Sequence, residues 1–306
     1  MNQTNQHSLS VENDGARTRL DAFLAERVPK VSRSAWKALI QAGLVTVNGA
    51  AAKPNHKLKA GDALAWTIPP RAPAAAMPED IPLDILFEDE SVLALSKPPG
   101  LVVHPAVGNA SGTLLHGLLF HDPVFQTLER AGIVHRLDKD TSGVMVVAKS
   151  AAAIANLQAQ FKNRETEKEY RALVWGAPPR TGRIETRLGR HPAHRQKQAV
   201  LKEGGREAIT NFERLEQFAE CALMRIGIET GRTHQIRVHM AHIRHPIVGD
   251  AVYGRRRENK LPIAPPRQML HAAKLSLNHP ATGKRLSFEA PLFEDMALIL
   301  ERLRND

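Results

Sequence analysis

One cysteine, Cys221, in 306 residues allows neither an intramolecular disulfide nor a cysteine-based zinc site. No apolar run approaches the roughly 20 residues that a membrane-spanning helix needs. The first sixteen residues, MNQTNQHSLSVENDGA, lack both a basic start and an apolar segment, so residues 1–16 read as a disordered tail and not as a signal peptide. No glycine-rich fingerprint follows a strand, which argues against a doubly wound nucleotide-binding fold. Internal repeats are absent as well. These absences together point to a soluble, cytoplasmic chain.

Hydrophobic residues make up 42% of the sequence, and at 306 residues a sizeable core can be buried, with room for an appended module. The formal charge of +10 favours polyanionic partners. Its distribution is more informative. From Arg17 to Ala60 there are nine basic residues against Asp21 and Glu26, a net of +7 in one small region.

That region has a readable α/β layout. Leu20, Phe23, Leu24 and Val28 share one helical face, and Trp36, Leu39 and Ile40 share another. Ser32 suits the N-cap of the second helix and Gly43 its C-terminal stop. Leu44 to Val47 reads as a strand, Asn48-Gly49 as a tight turn, and Leu58 to Ile68 as a returning extended segment. Residues 17–68 resemble the S4-type RNA-binding domain, and the resemblance implies phosphate contacts from Arg33, Lys37, Lys53 and Lys57.

Residues 69–80, with four prolines and little to bury, read as a stiff linker. A second domain is expected over 81–306. Its strand candidates include Val92 to Ser96, Val144 to Ala148, Tyr170 to Trp175 and Cys221 to Glu229. Ile154, Leu157 and Phe161 form one apolar stripe after Ser150, and Ile236, Met240 and Ile243 form another. The elements do not alternate as βαβ units, so an α+β domain on a mainly antiparallel sheet is the better reading.

Within it, Gly132 to Lys149 reads GIVHRLDKDTSGVMVVAK, which sets Asp138 between polar clusters just ahead of a β-branched run. Residues before a buried strand sit on a loop that the sheet holds. His135, Arg136, Leu137 and Asp138, followed by Thr141, Ser142 and Gly143, resemble the signature of the pseudouridine synthases that act on RNA, in the ribosomal large-subunit branch. KPPGLVVHP at 97–105, EKEYRALV at 167–174, TGRTHQIRVHM at 230–240, HPIVGDAVYG at 245–254 and LHAAKLSLNHPATG at 270–283 extend that resemblance in the same order.

The resemblance implies a pseudouridine synthase fold, a mainly antiparallel mixed sheet, and isomerisation of uridine in large-subunit ribosomal RNA at the hairpin that bridges to the small subunit. It implies Asp138 as nucleophile or base, Arg237 as its charge partner, and Tyr170 against the uracil for stacking or a final deprotonation. Arg136 would support base flipping, with His135 and Thr141 as further substrate contacts. The chemistry needs a single carboxylate because the leaving uracil stays bound and returns, and it can proceed by attack on the anomeric carbon or through a glycal. No cofactor and no metal are expected, and the chain is expected to act as a monomer on ribosomal RNA or its precursor particle.

Three rival readings stand beside this one. Asp140, two residues beyond Asp138, competes for the role of essential acid and is expected to be structural. His234, His239, His242 and His245 form a cluster, but their spacing matches no metal motif and His234 and His242 fall on different helical faces, so they read as positioning or phosphate-contacting residues. A non-catalytic RNA-binding ribosome-assembly protein would account for the +7 module alone. The short basic segment 254–268 departs from the family pattern; loops of this kind bordering the cleft can contact RNA and alter which uridines are reached, so the exact positions stay open.

Overall fold

A computed structural model describes residues 6–28, 31–68, 76–106, 108–194, 197–254 and 260–305. The chain divides into two compact units, residues 1–75 and 76–306.

In the first unit, helices α1 (Leu20–Arg27) and α2 (Arg33–Gln41) accompany strands β1 (Gln6–Ser10), β2 (Val45–Val47), β3 (Ala50–Ala51) and β4 (Ala63–Thr67). The sheet order is β1-β4-β2-β3, every neighbour antiparallel. Leu20, Phe23, Leu24, Trp36, Ile40, Val45 and Leu64 close its core. The Ser32 hydroxyl accepts from the Ala35 amide at 3.3 Å, capping α2, and Asn48 and Gly49 turn β2 into β3 with φ of 52° and 79°. The predicted tail needs correction, because residues 6–10 form the edge strand β1 and Val11 is buried. Main-chain pairing to β4 holds this strand and its side chains stay largely in solvent, so it reads as polar. The extended segment from Leu58 also shortens to Ala63–Thr67: Gly61 turns at φ 86°, and the Asp62 carboxylate pins that turn to the Lys59 amide and the Asn48 side chain.

The second unit contains β5 (Asp84–Glu88), β6 (Val92–Lys97), α3 (Leu114–His121), β7 (Ser142–Ala148), α4 (Ala151–Asn163), β8 (Glu167–Trp175) and β9 (Thr181–Arg190). It continues with β10 (Gln198–Leu201), β11 (Arg206–Gln217), β12 (Cys221–Ile228), α5 (Gln235–His242), β13 (Leu270–Asn278), β14 (Arg285–Glu289) and α6 (Glu294–Asn305). The strands form one ten-stranded sheet in the order β10-β9-β11-β12-β8-β13-β7-β6-β5, with β14 alongside β13. Among the described strand pairs only β13 and β7 run parallel. The architecture is α+β on a mainly antiparallel mixed sheet.

Strand β7 is buried along its whole length, as its β-branched run demands. On one face Leu93, Met145, Val147, Tyr170, Ala172 and Leu270 join a core that takes in Ile236 and Met240 of α5. Val144, Val146 and Leu277 pack on the other face with Ala153 and Leu157 of α4, which Ser150 caps through the Ala153 amide. Gly143, at φ 112°, lies so close to β13 that a Cβ would strike the Ala272 carbonyl, so this parallel contact needs glycine.

Residues 69–75 of the expected linker lie outside the described residues, and 76–80 belong with the second unit. The Glu79 amide donates to the His116 carbonyl at 3.1 Å and its carboxylate accepts from the Gly112 amide, so main-chain bonding docks a stretch with few apolar side chains.

Candidate active site

The loop from Val134 to Asp140 is anchored on nearly every residue. Nε2 of His135 accepts from the Val146 amide at 2.9 Å while the ring stacks on Phe161 at 4.7 Å. Burial, with Lys168 adding to it, pushes the His135 pKa down to about 3, so the ring is neutral. Leu137 is buried in the core. Fully buried Lys97 donates to the carbonyls of Pro98, Leu101 and Lys139 at 2.7 to 2.9 Å, and Gly100 donates to the same Lys139 carbonyl. Burial draws the Lys97 pKa down to about 7, opposed by the Asp140 charge, yet three carbonyl acceptors around one nitrogen call for the ammonium.

Asp138 emerges from this loop and meets α5. Nη1 of Arg237 donates to Asp138 Oδ2 at 3.1 Å, across 99 residues of sequence. The other edge of the same guanidinium is bidentate on Asp250, at 2.7 Å from Nε and 2.9 Å from Nη2. Asp250 further accepts from the amides of Val252 and Tyr253. Burial works against the charge on Arg237, but the bonds to Asp250 and then the Asp138 charge hold its pKa above the ordinary value. Burial likewise opposes ionisation of Asp250, and Arg237 outweighs it and keeps that carboxyl below the usual range. Asp138 is the less buried of the two carboxylates, and its Oδ1 takes no hydrogen bond from the described residues.

These groups open into a cavity of about 330 Å³, near the lower end of small-molecule pockets. Asp138, Tyr170, Arg237, Arg136, His135 and Thr141 all line it. Burial, and then the Asp138 charge, push the Tyr170 hydroxyl above its ordinary range, which disfavours a phenolate base and leaves the ring face as its asset. Arg136 is exposed at the rim. The buried Thr141 hydroxyl has no hydrogen-bond partner among the described residues. Asp140 does not line the cavity, and its carbonyl accepts from buried Arg267.

At the end of the basic segment 254–268, Arg267 is buried. Its guanidinium is spent on Asp295 of α6, on the carbonyls of Asp140, Gln268 and Leu270, and on the Ser142 hydroxyl. Residues 255–259 lie outside the described residues.

The histidines scatter into separate tasks. His239 bonds the hydroxyls of Thr210 and Thr186, and His245 donates to the Trp175 carbonyl. His234 alone approaches the carboxylate, with Nε2 at 3.9 Å from Asp138 Oδ2. Asp250 and Tyr253 had no assigned role from sequence, although both lie in HPIVGDAVYG at 245–254. A signal was present: a buried arginine requires more acceptors than one carboxylate supplies, and GDAVY offers the nearest.

In the first unit, Lys37, Lys53 and Lys57 are exposed, with no ion pair among the described residues. Arg33 differs: it pairs with Asp21 at 3.1 Å, as Arg19 does at 2.9 Å.

Comparison with known proteins follows this division. The family described as RNA pseudouridylate synthase matches residues 91–242, and the S4 domain matches residues 18–64. A ribosomal large subunit pseudouridine synthase D from Neisseria meningitidis is 44% identical over 308 aligned positions, covering 98% of this chain and 82% of that protein. A protein of the same name from Pseudomonas aeruginosa is 45% identical, covering 94% and 92%. Among solved structures, human RNA pseudouridylate synthase domain containing 1 superposes with a TM-score of 0.57 at 25% identity, covering 74% of this chain and 97% of that one.

Proposed function

Because the chain belongs to the RNA pseudouridylate synthase family, we propose that it isomerises uridine to pseudouridine in large-subunit ribosomal RNA, at the hairpin that bridges to the small subunit. The N1–C1′ bond breaks, the uracil turns in place, C5 bonds to C1′, and C5 loses a proton while N1 gains one. Composition is unchanged, so no external oxidant, reductant or energy source enters the balance.

The observation that carries this reading is the meeting of Asp138 and Arg237 at the wall of a cavity that also contains Tyr170. Asp138 Oδ1, which has no hydrogen-bond partner among the described residues, is the reacting oxygen, and it either attacks C1′ or takes the C2′ proton. Arg237 bonds Oδ2 and directs the free oxygen inward. A uridine in folded RNA must leave its stack to enter. Arg136 at the rim braces the gap, and the Tyr170 ring stacks on the uracil. The Thr141 hydroxyl supplies a polar contact to the base, and His135 serves by holding the loop.

Lys37, Lys53 and Lys57 contact phosphates, with Arg33 joining when it releases Asp21. The enzyme works as a cytoplasmic monomer without a cofactor. Mapping pseudouridines in ribosomal RNA from cells with and without this protein tests the proposal. Uridines that lose modification with the protein should lie in the bridging hairpin. An unchanged map alongside retained RNA binding would favour the non-catalytic assembly reading, which the net charge of +7 from Arg17 to Ala60 motivates.

A further inference from the structure

His234 occupies an unusual position for a side chain of its kind. It precedes α5 in the left-handed region, at φ 56° and ψ 21°, a conformation that costs energy for any residue with a Cβ and tends to persist where a site needs it. The neighbouring segment fixes it there. Buried Gln235 accepts from the Thr230 hydroxyl and the Arg232 amide and donates to the Ile209 carbonyl and the Thr210 hydroxyl, so its polar groups are satisfied. The turn brings the His234 ring against the Tyr253 ring, edge to face at 5.6 Å, and over the cavity wall.

The hydrogen bonds determine which ring nitrogen carries the proton. The Gln198 amide donates to the Tyr253 hydroxyl oxygen at 2.8 Å, and that oxygen lies 2.8 Å from His234 Nδ1. Tyr253 has one proton to give, and among the described residues His234 Nδ1 is its acceptor. The neutral ring therefore bears its proton on Nε2, the nitrogen that faces Asp138 Oδ2. The opposite tautomer would leave the Tyr253 proton without an acceptor and turn a lone pair toward a carboxylate.

Resting on the proposed role of Asp138, we infer that His234 is a positioning residue for that carboxylate, with its tautomer set by Tyr253 and the Gln198 amide. Arg237 and His234 both address Oδ2, from the helix interior and from the turn before it. The carboxylate is thereby restrained about its terminal torsion, which is otherwise broad, and Oδ1 stays directed at the substrate. In the resting structure the His234 contact is long, at 3.9 Å, and it shortens to a hydrogen bond once substrate fills the cavity.

The test measures single-turnover pseudouridine formation, RNA dissociation constants and side-chain ¹⁵N shifts together. His234→Ala should slow the single-turnover rate about 10- to 100-fold, the worth of one hydrogen bond to a charged group, while the RNA dissociation constant changes less than about twofold. His234→Asn, which tolerates the left-handed backbone, guards against a folding defect and should show the same loss. His234→Gln, whose amide N–H reaches the place of Nε2 where that of Asn stops near the place of Nδ1, should recover part of the rate. The ¹⁵N shifts should report an Nε2–H tautomer in the native chain and a mixed one in Tyr253→Phe. An unaltered rate in folded His234→Asn, or an Nδ1–H tautomer in the native chain, would overturn the inference. Activity in Asp138→Asn would instead overturn the reading of Asp138, so the two failures are distinct.

Discussion

The two units hold mirror-image charge clusters. In the first, one carboxylate, Asp21, sits nearly buried between two arginines, Arg19 and Arg33, whose side chains are 47% and 56% exposed. In the second, one guanidinium, Arg237, at 6% exposure, sits between two carboxylates, Asp250 at 0% and Asp138 at 18%. An exposed arginine can leave its partner for a phosphate at little cost, since surface pairs contribute about 0 to 1 kcal/mol. A buried one cannot. Under the proposed function, recognition would fall to groups that can exchange partners, and chemistry to groups that cannot.

Removing one partner should separate the two clusters most clearly. Asp250→Ala leaves Arg237 buried with only Asp138 for an anion, and the expected loss is about 3–5 kcal/mol in denaturant unfolding of the second unit. A loss below about 1 kcal/mol would mean that the site tolerates exchange as the first unit does.

Acid should next expose the rigidity of the second unit. His135 and His239 are pushed down to about 3 and about 4, in each case mainly by burial. Below an unfolded-state pKa near 6.5 the unfolded chain binds protons that the native chain refuses, so stability falls as pH falls toward the folded values. Each ring contributes a slope of about 1.4 kcal/mol per pH unit in that window. Asp250, whose pKa is lowered, stabilises above its unfolded value and loses that contribution only in stronger acid. Unfolding at pH 4.5, 5.5 and 6.5 measures the slope, and a flat profile would contradict neutral buried rings.

The opposite behaviour is expected of the first unit. Changing Lys37, Lys53 and Lys57 together to Ala should reduce the salt slope of RNA binding by about 2–3, from 0.7 to 0.9 per phosphate contact, and leave the turnover rate at saturating RNA unchanged. An unaltered salt slope would place the phosphate contacts elsewhere. The smallest effect belongs to Arg19→Ala, at most about 1 kcal/mol in the thermal or denaturant unfolding of this unit, because Asp21 keeps Arg33.

How far each region could be read from sequence follows the same division. Local signals were legible: the β-branched run of β7, the Ser150 and Ser32 caps, the Asn48-Gly49 turn, and the loop that carries Asp138. Six residues named by motif position also line one cavity. What escaped depends on contacts made only when the sheet closes. Lys97 reaches the Lys139 carbonyl across 42 positions, whereas the Arg237–Asp138 pair, 99 positions apart, was readable only through the family resemblance. Asp250 looked like an ordinary acidic residue until a buried guanidinium needed it. Strand β1 escaped for another reason, since main-chain pairing stabilises it while its exposed polar side chains suggest a tail.

The most direct measurement of the central claim is the single-turnover rate of pseudouridine formation in Asp138→Asn, taken beside its RNA dissociation constant. The rate should fall by about 10⁴-fold, the upper range for one positioned acid–base group, with RNA affinity held within about twofold. A variant that binds RNA and still isomerises uridine at the native rate would contradict the account.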